Sequence, residues 1–453
     1  MHSTANPLHE GRIARSRRRR RQRIAAGSAA LGVATVAALV VVYAIVLGPT
    51  FAGTAPLLAG FEARSYVPGQ TATLRIGGGG TSKVTLQVFL AGGPVASGKP
   101  SLGWDRTTFG RAVTVPRQVH RPRGTWLVHV RLGPNWHSGD YVARLSWPGH
   151  TDYAPFVLRP RRLGGAPVLV VEPTNTWQAY NVTNGDSWYL NPAVHLVHLD
   201  RPFAGTDVRG GRVPTGLPEQ FWRFDLGFLR WYWRSGYRAD FVSDDDLDRL
   251  TRAGELSRYR LIVFAGHEEY VSDHVYRLIE RYRDAGGNLA FLSANNFFYA
   301  VRPSHDAIWG RMRWRDVGRP EAALVGEEYD GWNLGRYPNR PYRIVDTAAA
   351  PWLFAGTSLH DGSLLGRYGI EIDESSDASP TQARVLAMIR DAFGRGHSAE
   401  MTIYRRGRST VFDAGALNFG ASAHWPAVSR LMSNLWSHLS GEPQWLGVSP
   451  PQG

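Results

Sequence analysis

The N-terminal third of the chain alternates apolar and polar residues with a period of two. The segments TATLRI at 71–76, KVTLQVFLAGG at 83–93 and TWLVHVRL at 125–132 show this pattern. Such alternation is typical of strands with one buried face, and the Gly and Pro residues between the segments mark turns. The pattern predicts a β-sandwich domain of immunoglobulin-like type over residues 58–160.

Apolar strand-like runs and amphipathic segments alternate from Pro167 onward. The apolar runs are PVLVVEP at 167–173, LIVF at 261–264 and NLAFLS at 288–293, and the segments with helical spacing are 247–259 and 272–287. Alternation of this kind predicts an α/β domain with a doubly wound parallel sheet, which we place at residues 163–445.

Three loops should meet at one edge of that predicted sheet. Ligands of open α/β sheets bind beyond the carboxyl ends of the strands. The segments that follow the three apolar runs are 174–189, 267–270 and 295–299. We therefore expect these segments to converge on one crevice.

The absence of cysteine limits the chemistry of the protein. The 453 residues include no Cys, which excludes disulfides, thiolate nucleophiles, zinc–thiolate sites and iron–sulfur clusters. The apolar fraction of 43% indicates a globular chain rather than a disordered one. A chain of this length suits two or three domains.

The N-terminus carries an arginine-rich segment followed by an apolar one. Residues 1–23 contain eight Arg, and Ile24 to Leu47 contain no charged residue, so we predict a transmembrane helix at 24–49. The positive-inside rule places residues 1–23 in the cytoplasm and the bulk of the chain outside it, in a single-pass protein of the cell membrane. A cleaved signal peptide is the alternative. Eight Arg and Glu10 give +7 of the formal +14, so the net charge indicates no nucleic-acid partner.

Two tyrosines lie in the loop after the first apolar run, NTWQAYNVTNGDSWY. Phenolate oxygens are hard donors that suit ferric iron, so Tyr180 and Tyr189 are candidate metal ligands. The alternative interpretation is that these aromatic side chains cover a core. The sequence pattern alone leaves both interpretations open.

An imidazole and two carboxylates follow the second apolar run. One interpretation places His267, Glu268 and Glu269 at the N-terminus of a helix, where carboxylates gain from the helix dipole and remain exposed to solvent. The other interpretation buries a glutamate at the end of a strand. Such a glutamate would need a nearby cation or a raised pKa, and a metal ion is one such cation.

Two further motifs have simpler interpretations. The run SDDDLD at 243–248 lacks the glycine and the distal glutamate of an EF-hand, so we interpret it as the cap of a helix that begins near Asp245. The run GGGG at 77–80 is not followed by the Gly-Lys-Ser/Thr of a phosphate-binding loop, so we interpret it as a turn.

Nine segments occur in the order found in a known family. Together they cover about residues 60–440, and the chain resembles the C-terminal domain of proteins like the large (beta) subunit of N,N-dimethylformamidase. The segments are EPTNTWQAYN, GDSWY, LDRPF, LRWYWRSGYRADFVSDDDLD, GHEEYVS, GGNLAFLSANNFFYAVR, PWLFAGTSL, YGIEID and TVFDAGALNFG.

The resemblance implies a fold and a metal site. The fold would resemble the core of class I glutamine amidotransferases without its thiol, and the site would hold one mononuclear iron through two tyrosines and one glutamate. Carried over on the matching motifs, the ligands are Tyr180, Tyr189 and Glu269, with Glu268 as a neighbour that is not a ligand.

The resemblance also implies three residues for catalysis. His267 and Asn295 match positions that line the pocket of the family, and Glu371 of YGIEID is a candidate general base. The chain departs from the family in three ways. The two candidate tyrosines are only nine residues apart, and Tyr299 and Phe419 stand where Trp is usual. We therefore expect this chain to share the metal site of the family more closely than it shares the substrate.

The expected function is iron-dependent hydrolysis of a C–N bond, of the amide type, in a small-molecule or cell-envelope substrate. An iron ion held by two phenolates and a carboxylate leaves positions for water and for a carbonyl oxygen. The alternative is a non-catalytic envelope module that binds glycan or a protein partner on an inactive amidotransferase-like scaffold.

Overall fold

The described part of the chain is mostly β-sheet. The computed structural model describes residues 57–78, 83–93, 110–120, 126–191, 193–251, 253–394 and 396–443. These residues form 24 strands and seven α-helices. No helix among them has the length and apolar character needed to cross a lipid bilayer.

The first nine strands form two sheets that pack face to face. The strands are β1 (Leu57–Phe61), β2 (Ser65–Tyr66), β3 (Thr71–Gly78), β4 (Lys83–Ala91), β5 (Gly110–Ala112), β6 (Arg117–His120), β7 (Trp126–Arg131), β8 (Gly139–Trp147) and β9 (His150–Leu158). One sheet has the order β1-β3-β7 and the other has the order β2-β9-β8-β4-β5, with β6 also paired to β4. Leu74 and Val128 of the first sheet share a buried core with Val88 and Phe156 of the second.

Fifteen more strands and seven helices follow along the described chain. The strands are β10 (Val168–Glu172), β11 (Leu196–His198), β12 (Ala239–Ser243), β13 (Leu261–Phe264), β14 (Tyr270–Ser272), β15 (Asn288–Phe291), β16 (Tyr299–Pro303), β17 (Ala307–Arg313), β18 (Glu328–Trp332), β19 (Arg340–Ile344), β20 (Leu364–Tyr368), β21 (Glu371–Glu374), β22 (Arg384–Ile389), β23 (Ala399–Arg406) and β24 (Ser409–Asp413). The α-helices are α1 (Thr174–Tyr180), α2 (Leu226–Ser235), α3 (Asp244–Asp248), α4 (Asp273–Asp284), α5 (Ala322–Val325), α6 (Pro351–Phe354) and α7 (Pro426–Ser440).

A nine-stranded sheet is the centre of this second part. Its order is β12-β10-β13-β15-β24-β23-β22-β19-β20. The first five strands run parallel, because β10 pairs in parallel with β12 and β13, and β15 pairs in parallel with β13 and β24. The last four strands add antiparallel pairs. The sheet is therefore mixed.

The fold-class prediction combined an N-terminal transmembrane helix, a sandwich and a doubly wound α/β domain like a glutamine amidotransferase. As a whole it is wrong, although the two packed sheets of the first part agree with a sandwich. The described chain is mostly sheet with few helices, and the last four of the nine central strands are joined by antiparallel pairing. Residues 24–49, on which the predicted membrane helix falls, lie outside the described residues.

Segment 247–259 shows why helical spacing misled the prediction. Leu247, Leu250 and Leu256 are all buried, so their spacing reflects packing against the sheet. The five-residue helix α3 ends at Asp248, and a short 3₁₀ turn at Ala253–Arg258 replaces the rest of the predicted helix. Apolar spacing therefore located the buried side chains but gave the wrong backbone conformation.

The sandwich and the central sheet meet at a buried pair of carboxyl groups. Asp140 of β8 is 1% exposed and lies next to Glu172, which is fully buried at the end of β10. Two carboxylates this close cannot both be ionised in a buried site, so the pair holds a proton. Burial raises the pKa of Asp140 to about 8 and the pKa of Glu172 well above its usual value.

The proton held by Asp140 and Glu172 leads to a prediction about how the stability of the protein depends on pH. Because the pKa of Asp140 is higher in the folded than in the unfolded protein, stability falls as pH rises from about 4 to about 8. The Asp140→Asn variant lacks that titration. Between pH 5 and pH 8.5 the thermal midpoint should fall for both proteins. The fall should be smaller for the variant than for the wild type, and the difference should be roughly 5 °C.

Thermal melts at several pH values measure this difference. The matched control is Asp306→Asn, because the Asp306 side chain is 60% exposed. Parallel pH profiles for Asp140→Asn and the wild type would show that the pair binds no extra proton in the folded state.

Candidate functional site

The candidate site lies where three parallel strands of the central sheet end. Strand β10 ends at Glu172 and leads into α1, which ends at Tyr180. Strand β13 ends at Phe264 and leads to residues 265–269, and β15 ends at Phe291 shortly before Asn295. Because neighbouring parallel strands end at the same edge, these loops come together, as the sequence predicted.

Tyr180, Tyr189 and Glu269 form one hydrogen-bonded group. The Tyr189 hydroxyl donates to Glu269, with distances of 3.0 Å to Oε1 and 2.9 Å to Oε2. Tyr180 also hydrogen-bonds Glu269, and its ring centroid lies 4.1 Å from that of Tyr189. Glu269 is 2% exposed, and burial raises its pKa to about 8. The structure thus places all three predicted oxygen donors together.

His267 lies between two glutamates. Its Nε2 atom is 3.5 Å from Glu269 Oε2 and 3.5 Å from Glu371 Oε2. The side chain is almost completely buried, which lowers its pKa to about 3. The imidazole is therefore neutral, and its Nε2 has no hydrogen-bond partner among the described residues.

Asn295 holds Glu371 in place. Its side-chain Nδ2 donates a hydrogen bond of 2.9 Å to Glu371 Oε2. Its backbone N–H donates to both oxygens of Asp373, at 2.8 and 2.9 Å, and its φ of 57° lies in the left-handed region. Burial raises the pKa of Glu371 to about 7, although the Asn295 hydrogen bond and the positive charge of Arg209 act in the opposite direction.

Glu268 points away from this group. It is buried and hydrogen-bonds Asp244, and burial together with the Asp244 charge raises its pKa well above the usual value. His267 to Glu269 are followed by strand β14, and helix α4 begins only at Asp273. The helix N-terminus interpretation, which required exposed carboxylates, is therefore wrong for these residues.

The helix-cap interpretation of residues 243–248 is confirmed. Helix α3 begins at Asp244, one residue earlier than expected. The Asp246 carboxylate accepts hydrogen bonds from the Ser243 N–H at 3.0 Å and the Ser243 hydroxyl at 2.9 Å. These contacts explain the aspartate run without a cation.

The prediction from sequence missed two polar residues of the site. The Tyr270 hydroxyl is 2.6 Å from the Tyr189 hydroxyl, and Tyr270 stacks on Tyr299. Arg311 of β17 hydrogen-bonds Tyr270 and lies over the Tyr299 ring, 5.6 Å from its centroid. Tyr270 directly follows Glu269 and could have been noticed in the motif HEEY. Arg311 lies in strand β17, and no local sequence pattern marks it as a site residue.

The three oxygen donors suit a hard cation. Two phenols and a carboxylate are oxygen ligands, and ferric iron favours such ligands. Glu269 forms no ion pair with a Lys or Arg among the described residues, so a bound cation would offset the cost of its charge. The described chain contains no group of three His, Cys, Asp or Glu side chains arranged to hold a metal, so such an ion would depend on the tyrosines.

Comparisons with known proteins give one family. The sequence model of the N,N-dimethylformamidase beta subunit-like C-terminal family matches residues 100–429. The N,N-dimethylformamidase beta subunit of Alcaligenes sp is 24% identical over 273 residues, which cover 52% of this chain and 35% of that protein. The matched region thus spans about a third of the curated relative.

Similarity to solved structures is weak. A ThuA-like protein from Parabacteroides merdae has 13% identity and a TM-score of 0.30, over 52% of this chain and 89% of that one. The mmIFT52 N-terminal domain has 10% identity and a TM-score of 0.30, over 46% of this chain and 86% of that one.

The loop that carries His267 and Glu269 requires a glycine at its start. A Cβ atom on Gly266 would lie 2.2 Å from Asp225 Oδ1 and 3.1 Å from Cγ of Pro173. Asp225 is buried and accepts a hydrogen bond of 2.9 Å from Trp177 Nε1, so it is not free to move. We expect Gly266→Ala to lower the free energy of unfolding by about 1–3 kcal/mol, as overpacking does.

Chemical denaturation of Gly266→Ala beside Gly254→Ala tests this requirement. Gly254 is exposed, and a Cβ atom there would meet no atom within 4 Å. The control variant should unfold at nearly the same denaturant concentration as the wild type. Equal stability of the two variants would contradict the close approach at Gly266.

Proposed function

Because the chain belongs to the N,N-dimethylformamidase beta subunit-like C-terminal family, we propose that it is a hydrolase of amide C–N bonds that uses an iron ion held by Tyr180, Tyr189 and Glu269. The main support is the hydrogen bonding of the Tyr189 hydroxyl to both oxygens of the buried Glu269. This contact holds two of the three donors together, and the Tyr180 ring lies 4.1 Å from the Tyr189 ring, centroid to centroid.

A bound iron would supply a Lewis acid that polarises the amide carbonyl and lowers the pKa of a water molecule. The residues of the chain supply the rest. Glu371 would act as the general base, and the Asn295 side chain fixes its orientation through a hydrogen bond of 2.9 Å. The neutral His267 lies 3.5 Å from Glu371 and completes the polar wall of the site.

Burial contributes to this chemistry in two ways. His267, Glu269 and Asn295 are each at most 3% exposed, so bulk water is excluded from their side of the site. Exclusion of water strengthens every electrostatic interaction inside the site. Burial also raises the pKa of Glu371 to about 7, near the optimum for a base that works at neutral pH.

The substrate is proposed only as a class. The match covers about a third of the curated relative, so the substrate in that relative's name does not transfer to this chain. A small-molecule or cell-envelope amide and a location outside the cytoplasm remain predictions from the sequence.

No observation favours the alternative of a non-catalytic binding module. Tyr299 and Phe419, which stand where Trp is usual in the family, are two departures that could have favoured that alternative. Phe419 is fully buried, and Tyr299 stacks on Tyr270 beside the candidate ligands. Neither aromatic residue forms a separate exposed binding surface.

Iron binding is tested with the purified full chain and its tyrosine variants. We expect iron-loaded protein to be coloured by phenolate-to-iron charge transfer. The Tyr180→Phe and Tyr189→Phe variants should each lose the colour and bind iron at least about tenfold more weakly. Tyr276→Phe is the control, because the Tyr276 hydroxyl donates to Pro320 O instead, at 3.2 Å.

Two results would contradict the iron site. One is a folded wild-type protein that takes up no iron. The other is the same colour in the wild type and in both tyrosine variants, since the phenolates would then not be the source of the absorption.

Hydrolysis is tested by a screen of amides with iron-loaded protein. Removal of a general base costs about 10²–10⁴ in rate, so we expect Glu371→Gln to lower kcat by that factor. The control is Glu374→Gln, on the same strand β21. Cleavage that is equal in the wild type, Glu371→Gln and Glu269→Gln would place the reaction elsewhere.

A further inference from the structure

A cleft with several arginines opens beside the candidate site. Its volume is about 710 Å³, within the roughly 300–1,000 Å³ typical of small-molecule sites. We call it the arginine cleft, and its most informative lining residues are Arg212, Arg223, Arg367, Trp222, Trp425 and Asn418. None of these residues is a predicted ligand or catalytic residue.

The lining of the arginine cleft is positively charged. It includes three arginines and no aspartate or glutamate. Arg223 is neutralised by ion pairs with Asp207 at 2.6 Å and Glu219 at 3.2 Å. Arg212 and Arg367 form no ion pair with a carboxylate of the described chain, so two positive charges remain without a counter-charge.

The side chain of Asn418 also lines this cleft. Asn418 donates through Nδ2 to the carbonyl oxygen of Arg367 at 3.1 Å. Its Oδ1 atom is buried and has no hydrogen-bond partner among the described residues. Such an atom costs free energy unless a ligand or a water supplies a donor.

The arginine cleft is next to Glu371. Ile370 lines the cleft and directly precedes Glu371, and it packs against Phe224, Ala294 and Leu417. Ala294 in turn precedes Asn295, which holds Glu371. The cleft therefore borders the start of strand β21, which carries the proposed base.

One turn carries an arginine of the cleft and an arginine that lies near the candidate site. Thr206 and Arg212 form an isolated β-bridge, and the turn between them carries Arg209. The Arg209 guanidinium lies 4.6 Å from the ring centroid of Trp332, which is the strand partner of Glu371. The same turn thus places Arg209 near Glu371 and Arg212 in the cleft.

We propose that the arginine cleft binds an oxyanion of the substrate, so the substrate is an amide that carries a carboxylate or phosphate group and an apolar body. The identification of the ligand as a substrate rests on the proposed function. The proposed binding of an anion in the cleft does not depend on hydrolysis. Arginine binds planar oxyanions through two parallel hydrogen bonds. Trp222 and Trp425 supply apolar surface for the body of the ligand.

Binding to the iron-loaded full chain tests the cleft directly. The probes are N-acetylphenylalanine, which has a carboxylate, and N-acetylphenylalaninol, which has the same body without a charge. Phenyl phosphate distinguishes a phosphate source from a carboxylate source. We expect the wild type to bind one or both anions at least about tenfold more tightly than the alcohol, and this preference should shrink as salt rises.

The test variant is Arg212→Gln with Arg367→Gln, which removes the two unpaired charges and keeps the Arg223 ion pairs. It should bind the preferred anion about tenfold more weakly and the alcohol within about twofold of the wild type. The control is Arg302→Gln, because Arg302 lies over Trp309 in the sheet formed by β16 and β17. If the double variant does not fold, the single variant Arg212→Gln replaces it.

The results separate the two proposals. Anion preference that the double variant loses supports the cleft, even if no amide is cleaved and the hydrolase proposal fails. Equal binding of anions and alcohol, or a preference that the double variant keeps, overturns the cleft even if amides are cleaved.

Discussion

Carboxyl groups buried at the ends of the central strands are the constraint on which the rest of the structure depends. Glu172, Glu268 and Asp413 are each at most 1% exposed, and Glu269 is 2% exposed. None of the four has a Lys or Arg ion pair in the described part of the chain. Because an unpaired buried charge is costly, each group must share a proton, accept hydrogen bonds or bind a cation.

The buried carboxyl groups have different partners, even on neighbouring residues. Glu268 and Glu172 face other carboxyl groups, Asp244 and Asp140, and bury a shared proton with them. Glu269 faces two tyrosine hydroxyls instead. A pair of carboxyl groups that holds a proton can remain buried without a ligand. A carboxylate beside two phenols is instead a set of oxygen donors that could bind a cation. The difference explains why one glutamate of the pair is a candidate ligand and its neighbour is not.

Positive charge reaches the site from segments far away in sequence. Arg311 comes from β17, and Arg209 comes from the turn between β11 and α2. Arg311 acts on the tyrosines, and Arg209 lowers the pKa of Glu371. The buried carboxyls come from the strand ends, and the cations come from strand β17 and from a distant turn. In the proposed function the strand ends would carry the chemistry and the loops would select the ligand.

The sequence by itself determined the residues of the site and the edge of the sheet where they meet. Runs such as LIVF at 261–264 are buried strands, and the polar residues that follow them lie together because parallel strands end at one edge. Motif order indicated the family, since many short segments in one order are specific even when each is weak. Family membership then needed no knowledge of the fold class.

Only the tertiary structure decided the fold class, the partner of each carboxyl and the positions of the arginines. Local spacing reports which side chains are buried, but Leu256 is buried from a 3₁₀ turn and Leu247 from a short helix. The directions of strands β19, β20, β22 and β23 depend on pairings between separate segments, which leave no local period in the sequence. The partner of Glu268 is 24 residues away in sequence and that of Glu172 is 32 residues away. These carboxyl groups meet their partners only when the sheets pack. A carboxyl group needs such a partner only once it is buried.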